Sequence, residues 1–184
     1  MHSEKDLIER CVKGDRKAQK ELYDRHVSAM LVVALRYSKA RQEAEDIIQE
    51  SFIKVFDKIK TYKGESDIKY WIKRIVVNTA LNHQRSKLYM FPMVDVEGMH
   101  NDFHSEISLS SYHFKELLQM IQELPAGCQA IFNLYAIEGY NHKEIAEMLN
   151  ISVGTSKSQY SRAKMLLKER IEKEQKVSYE RARK

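Results

Sequence analysis

Between residues 140 and 170 the sequence reads YNHKEIAEMLNISVGTSKSQYSRAKMLLKER. It sets Ser152, Thr155, Lys157, Ser158, Gln159, Ser161 and Arg162 at close intervals. Hydroxyls, an amide and cationic groups are the donors and acceptors that read base edges and grip phosphates. A second set lies upstream: the loop residues Tyr62, Lys63, Gly64, Glu65, Ser66 and Asp67, then Tyr70, Trp71, Arg74, Asn78, Asn82 and Arg85. Rings, cations and amides together suit unpaired bases, which stack on rings while their phosphates meet cations. Trp71 also has apolar neighbours, which predicts partial burial with an exposed edge. A third set is acidic: EAEDIIQE carries Glu43, Glu45, Asp46 and Glu50. Such carboxylates offset a helix dipole, and they would equally dock a basic protein surface. A fourth set, His100, Asp102 and His104 with His113 nearby, has metal-ligand chemistry. Its segment carries no helix signal to hold those groups on one face, so neither metal nor cofactor is predicted. No serine, cysteine or carboxylate pair has a recognisable catalytic context, and the chain is not read as an enzyme.

Positioning these sets needs helices. Asn141 precedes Glu144 by three residues in a capping-box arrangement, and Ile145, Ala146, Met148 and Leu149 give the following helix an apolar face. Ser152 repeats the cap, and Val153, Ser156, Tyr160, Ala163 and Leu167 recur at three and four along a second, longer helix. That stripe would leave Thr155, Lys157, Ser158, Gln159, Ser161 and Arg162 facing outward, as a helix-turn-helix does toward a major groove. An ordinary helical hairpin has the same spacing. The charge separates the two readings: residues 141–171 hold six Lys or Arg against three Glu, and the excess falls on the second helix.

Elsewhere the pattern is also helical. Only six glycines and two prolines interrupt the chain, and β-branched alternation is nearly absent. Ser3 is placed as the cap of a short helix through Leu7, Ile8, Cys11 and Val12, ended by Gly14. Asp15 opens a longer helix to about Lys39, and Ala44 to Ile59 mark the next. After the loop TYKGESD, Ile68, Trp71, Ile72, Ile75, Val76, Thr79 and Ala80 predict a fourth helix from about Asp67. A break at Pro125 and another at Gly139 bound two helices ahead of the helix-turn-helix.

The 184 residues hold 31 Lys and Arg against 26 Asp and Glu, a net charge of +5, and the distribution is uneven. Residues 1–90 carry nineteen basic and thirteen acidic side chains, residues 91–113 none against four, and residues 114–184 twelve against nine. This predicts an all-α protein of two small domains, 1–88 and 113–184, joined by an acidic flexible linker at 89–112. Stretched, such a linker spans on the order of two turns of B-DNA. No apolar run reaches membrane-span length, and MHSEKDLIER lacks a signal-peptide core, so a cytoplasmic location without membrane insertion is expected. Cys11 and Cys128, far apart and without paired spacing, fit thiols in a reducing compartment.

The segment EAEDIIQESFIKVFDKIKTYKGESDIKYWIKRIVVNTALNHQRSK resembles the second conserved region of an extracytoplasmic-function (ECF) sigma factor of the sigma-70 family. LPAGCQAIFNLYAIEGYNHKEIAEMLNISVGTSKSQYSRAKMLLKE resembles the fourth. With DLIERCVKGDRKAQKELYDRH the match covers nearly the whole chain in the family's order. The resemblance implies a factor that directs core RNA polymerase to promoter DNA and assists melting, with an anti-sigma factor as a further partner. It implies polymerase contacts by Glu45, Asp46, Gln49, Glu50, Phe52 and Lys54. It further implies capture of a flipped non-template base by Tyr62 to Asp67, a duplex fork at Trp71, Arg74 and Asn78, and minus-thirty-five recognition by the second module. Ser156, Gln159 and Tyr160 stand where members often carry an aliphatic residue, arginine and leucine, so the promoter sequence does not carry over. Two rival readings remain: a stand-alone helix-turn-helix regulator, whose N-terminal module would need a ligand or phosphorylation site, and a metal-dependent nucleic-acid enzyme using His100, Asp102 and His104.

Overall fold

A computed structural model describes residues 4–88 and 114–182, with side chains over 4–84 and 115–174. The Ser3 cap, the acidic linker and the group His100, Asp102 and His104 lie outside the described residues. The chain divides into two compact units, Met1–Arg85 and Ser86–Lys184. Both are helical, with no strand among the described residues.

In the N-terminal unit α1 (Glu4–Val12) packs on α2 (Arg16–Tyr37), and α2 on α3 (Arg41–Lys58). Gly14, at φ +80, ends the first turn of chain, and Asp15 starts α2 as its N-cap. One oxygen of Asp15 accepts from the backbone N–H groups of Lys17 and Ala18, while the other accepts from the Arg10 guanidinium at 2.7 and 2.9 Å. These bonds hold the Asp15 carboxyl below its ordinary pKa, the Arg10 contact contributing most. A 3₁₀ turn (Ile59–Thr61) closes α3, and α4 (Ile68–Leu88) follows the loop. Leu7, Leu22, Met30, Ile47, Ile68 and Ile72 are nearly solvent-free and form the core. Helix α4 is tied in by polar bonds as well: Gln84 Nε2 donates to the Tyr37 carbonyl at 2.5 Å, and Lys54 Nζ to Thr79 Oγ1 at 3.2 Å.

In the C-terminal unit α5 (Phe114–Glu123) and α6 (Ala126–Phe132) meet α8 (Val153–Ala182) in one core. Met120, Ile121, Leu124, Cys128, Phe132, Ala163, Leu167 and Ile171 make it up. The last turn after α6 widens into a π-helix (Asn133–Ile137), and α7 (His142–Leu149) then precedes α8.

Candidate nucleic-acid interface

The two helices of the opening stretch start as their caps dictate. Asn141 Oδ1 accepts from the N–H groups of Lys143 and Glu144 at 2.9 and 3.0 Å, and Glu144 accepts from the Asn141 N–H at 2.8 Å, a complete capping box. Asn150, in the left-handed region at φ 55, ends α7. Ser152 Oγ accepts from the Thr155 N–H at 2.9 Å, so α8 begins after only three intervening residues, 150–152. A three-residue turn between two capped helices is the helix-turn-helix geometry.

The face that α8 buries differs from the expected one. Ser156, Ala163 and Leu167 are inside as expected, but Val153 is 40% exposed, whereas Thr155 and Gln159 are only 7% and 6% exposed. Gln159 Oε1 accepts the Cys128 thiol at 3.0 Å, across from α6. Thr155 Oγ1 lies 2.8 Å from Ser152 Oγ. Both residues therefore belong to the structure of the motif and are withdrawn from the expected base-reading face. The physical reason is register: residue 159 falls three after Ser156 and four before Ala163, on the side that α6 covers. What remains outward is Ser152, Lys157 and Arg162, exposed, with Ser158 and Ser161 half-buried.

An aromatic group steadies the motif, and sequence reasoning missed it. The His142 ring stacks on Tyr135 with centroids 4.3 Å apart and 15° between planes, and meets the edge of Tyr160 at 5.8 Å. Its Nδ1 lies 2.9 Å from Ser156 Oγ on α8. Nothing in the hydrophobic pattern signals this, because His142 is polar and Tyr135 sits on the π-turn. Burial, and then the charge of Lys157, hold the His142 imidazole below its ordinary pKa. The fold thus favours neutral His142. Its stabilising contribution is present above the ordinary histidine range and is lost as pH falls through the depressed value. Thermal melts between pH 7 and pH 5 are expected to fall more steeply for wild type than for His142→Gln.

On the N-terminal unit, α4 turns Ile68, Ile72, Val76 and Ala80 inward. Tyr70, Arg74, Asn78 and Asn82 recur every four residues and all are exposed, so they form a ladder along one side of the helix. Arg85 continues α4, but its side chain lies outside the described residues. Trp71 is half-buried, its ring tilted against Tyr62 at 5.6 Å, as its mixed neighbours predict. The loop before α4 is fixed at both ends. Tyr62 OH donates to the Ser66 carbonyl, and Asp67 Oδ1 accepts from the Lys69 N–H at 2.7 Å. Lys63, Glu65 and Ser66 are exposed around Gly64, whose φ of +75 requires glycine although open space surrounds its Cα. Burial, then the charges of Glu4 and Asp67, raise the Tyr62 phenol pKa, so the hydroxyl stays protonated as a donor.

Along α3, Glu45, Asp46 and Gln49 are exposed, with Glu45 paired to Arg41 at 2.7 Å. Glu50 is engaged internally, with Lys54 Nζ at 2.5 Å and His83 Nε2 at 2.5 Å, and these two partners lower its pKa. Phe52 is only 3% exposed and packs edge-on against Tyr23 at 4.7 Å. It is therefore core and offers no docking surface, contrary to the expectation. Ile53, beside it, is 63% exposed and lies seven residues after Asp46, on the same side of the helix.

Among the described residues no three His, Cys, Asp or Glu side chains gather as a metal site requires, and no helix is long and apolar enough to cross a membrane. Models of sigma-70 region 2 and sigma-70 region 4 match residues 22–88 and 114–167. The chain is 31% identical over 178 residues to the ECF RNA polymerase sigma-E factor of Haemophilus influenzae, covering 90% of this chain and 94% of that protein. It is 29% identical over 173 residues to the RNA polymerase sigma-H factor of Pseudomonas aeruginosa, covering 88% and 90%. The sigma factor RpoE of Bartonella quintana, solved with the anti-sigma factor NepR, shares the fold at a TM-score of 0.53 and 21% identity, over 83% of this chain and 96% of that one. With both units matched in order, the chain belongs to the extracytoplasmic-function group of the sigma-70 family of RNA polymerase sigma factors.

Proposed function

We propose that the N-terminal unit binds core RNA polymerase and the melted minus-ten element, while the C-terminal unit reads the minus-thirty-five element as duplex. The observation that carries this reading is the ladder Tyr70, Arg74, Asn78 and Asn82, which begins beside a loop fixed by the Tyr62–Ser66 bond and the Asp67 cap. Bases released from the stack find rings there, and phosphates find cations. Melting is then supported by binding energy, and the protein performs no chemistry of its own. On the C-terminal unit, Lys157, Ser158, Ser161 and Arg162 meet the major groove, the two cations holding phosphates or guanine edges. The protein works in the cytoplasm and is held in check by an anti-sigma factor, the kind of partner found with the Bartonella relative.

The test is run-off transcription with core polymerase on genomic fragments. Start-site-specific transcripts that depend on this protein support the reading, and none above core alone overturns it.

Polymerase docks on the outer side of α3, through Glu45, Asp46 and Gln49. Asp46→Lys is expected to weaken core binding about tenfold, since it reverses a charge against a basic partner, while leaving helicity unchanged. Glu50→Lys would instead also lower the melting temperature, because Lys54 and His83 lose their carboxylate. Core affinity equal to wild type in Asp46→Lys would move the dock elsewhere.

A further inference from the structure

A cleft of about 710 Å³ opens between α1 and the segment that runs from Ile59 into the loop. Its apolar wall is Ile8, Val12, Ile59 and Tyr62, and its rim carries Lys5, Lys13, Lys60 and Lys63. Glu4 and Glu9 also line it, so cations outnumber acids by two. Among the described residues no ion pair engages any of the four lysines. Val12 is 48% exposed, an apolar side chain left facing water at the end of α1, whereas Ile59 behind it is only 3% exposed. The volume lies within the range of sites that enclose a small organic ligand. An apolar wall for a flat ring, with ammonium groups around it, matches a base and its flanking phosphates.

The cleft is continuous with the loop. Tyr62, Lys63 and Gly64 belong to both, and Gly64 has no atom within 4 Å of where a Cβ would stand, so the lip between them is low. We propose that this cleft holds a second nucleotide of the non-template strand, next to the one taken by the 62–67 loop, with its base on Val12 and Tyr62 and its phosphates on the lysines. The proposal rests on the reading of the loop as a base-capturing element. It gives α1 a part in promoter recognition, although α1 lies before the matched region 2 segment.

The experiment uses holoenzyme and a forked probe built on a promoter found by run-off transcription. The non-template strand of the fork is single-stranded across and beyond the minus-ten element. Single abasic sites are moved along it one nucleotide at a time, and affinity is read by competition. Wild type is expected to lose on the order of tenfold in affinity at two positions, one for the loop and one for the cleft. Val12→Trp fills the cleft, and Lys5→Glu with Lys13→Glu reverses its rim. All three positions are exposed, so the fold is spared. Either variant is expected to erase the penalty at the second position and to keep the first. A single sensitive position in wild type, or a profile unchanged in both variants, overturns the proposal while leaving the loop reading intact. Loss of sensitivity at every position in wild type would remove the loop reading too. Variants with the wild-type DNA profile that fail to bind an anti-sigma protein would overturn it in favour of a protein ligand.

Discussion

Gln159→Arg is expected to lower the stability of the C-terminal unit by about 3 kcal/mol, as an unpaired buried charge does, and not to change which bases are read. Gln159 is 6% exposed, and its hydrogen-bond partner is the Cys128 thiol, not a carboxylate. A guanidinium in that place loses water and gains no counter-charge. Gln159→Met keeps most of the volume and removes the acceptor, so its cost should be smaller, about 1 kcal/mol. Denaturant unfolding of the full chain, followed by circular dichroism, ranks the three proteins. Base preference should move instead with Ser158, Ser161 and Arg162, which keep solvent contact. Lys157→Ala would weaken all upstream sequences alike and flatten the salt dependence if it holds phosphate. An arginine variant as stable as wild type, returning a new motif from randomised upstream DNA, would place residue 159 outside.

The difference between residue 159 as read from sequence and as folded marks where pattern reasoning stops. Caps are local, so Asp15, Asn141 and Ser152 were legible: each needs only its own side chain and the next three backbone amides. The inward face of α4 was legible because Ile68, Ile72, Val76 and Ala80 are apolar, and the outward ladder follows from the same period. Gln159 and Thr155 are polar residues on a buried face, satisfied by Cys128 and Ser152. A rule that sends polar residues outward misplaces them, although their spacing from Ser156 and Ala163 already put residue 159 in the stripe. Phe52 failed differently. Its position came from a family segment taken whole, and residue by residue the helix buries Phe52 and exposes Ile53. The His142 stack depends on a π-turn that brings Tyr135 into reach, and no periodicity encodes that. The cleft beside α1 likewise needs tertiary structure, since its lysines come from two segments some fifty residues apart.

Arg74→Ala and Asn78→Ala should each slow open-complex formation about tenfold on duplex promoter, and the double variant about a hundredfold, each side chain lowering the barrier to strand opening by about 1.4 kcal/mol. Both groups are exposed and sit one turn apart, so they can face the same strand. Their loss leaves α4 in place, because its anchors are elsewhere: Asp67 caps its start at 2.7 Å, Lys54 reaches Thr79, and Gln84 bonds the Tyr37 carbonyl. The defect must therefore be one of melting and not of folding. A template premelted across the minus-ten element removes the cost of unstacking but keeps every upstream contact. On it the single variants should come within a few-fold of wild type, measured as the fraction of heparin-resistant complexes. Equal defects on duplex and premelted templates would assign Arg74 and Asn78 to general phosphate attraction. Such attraction acts on both templates alike, and raising the salt concentration would then shrink the difference between variant and wild type on each of them.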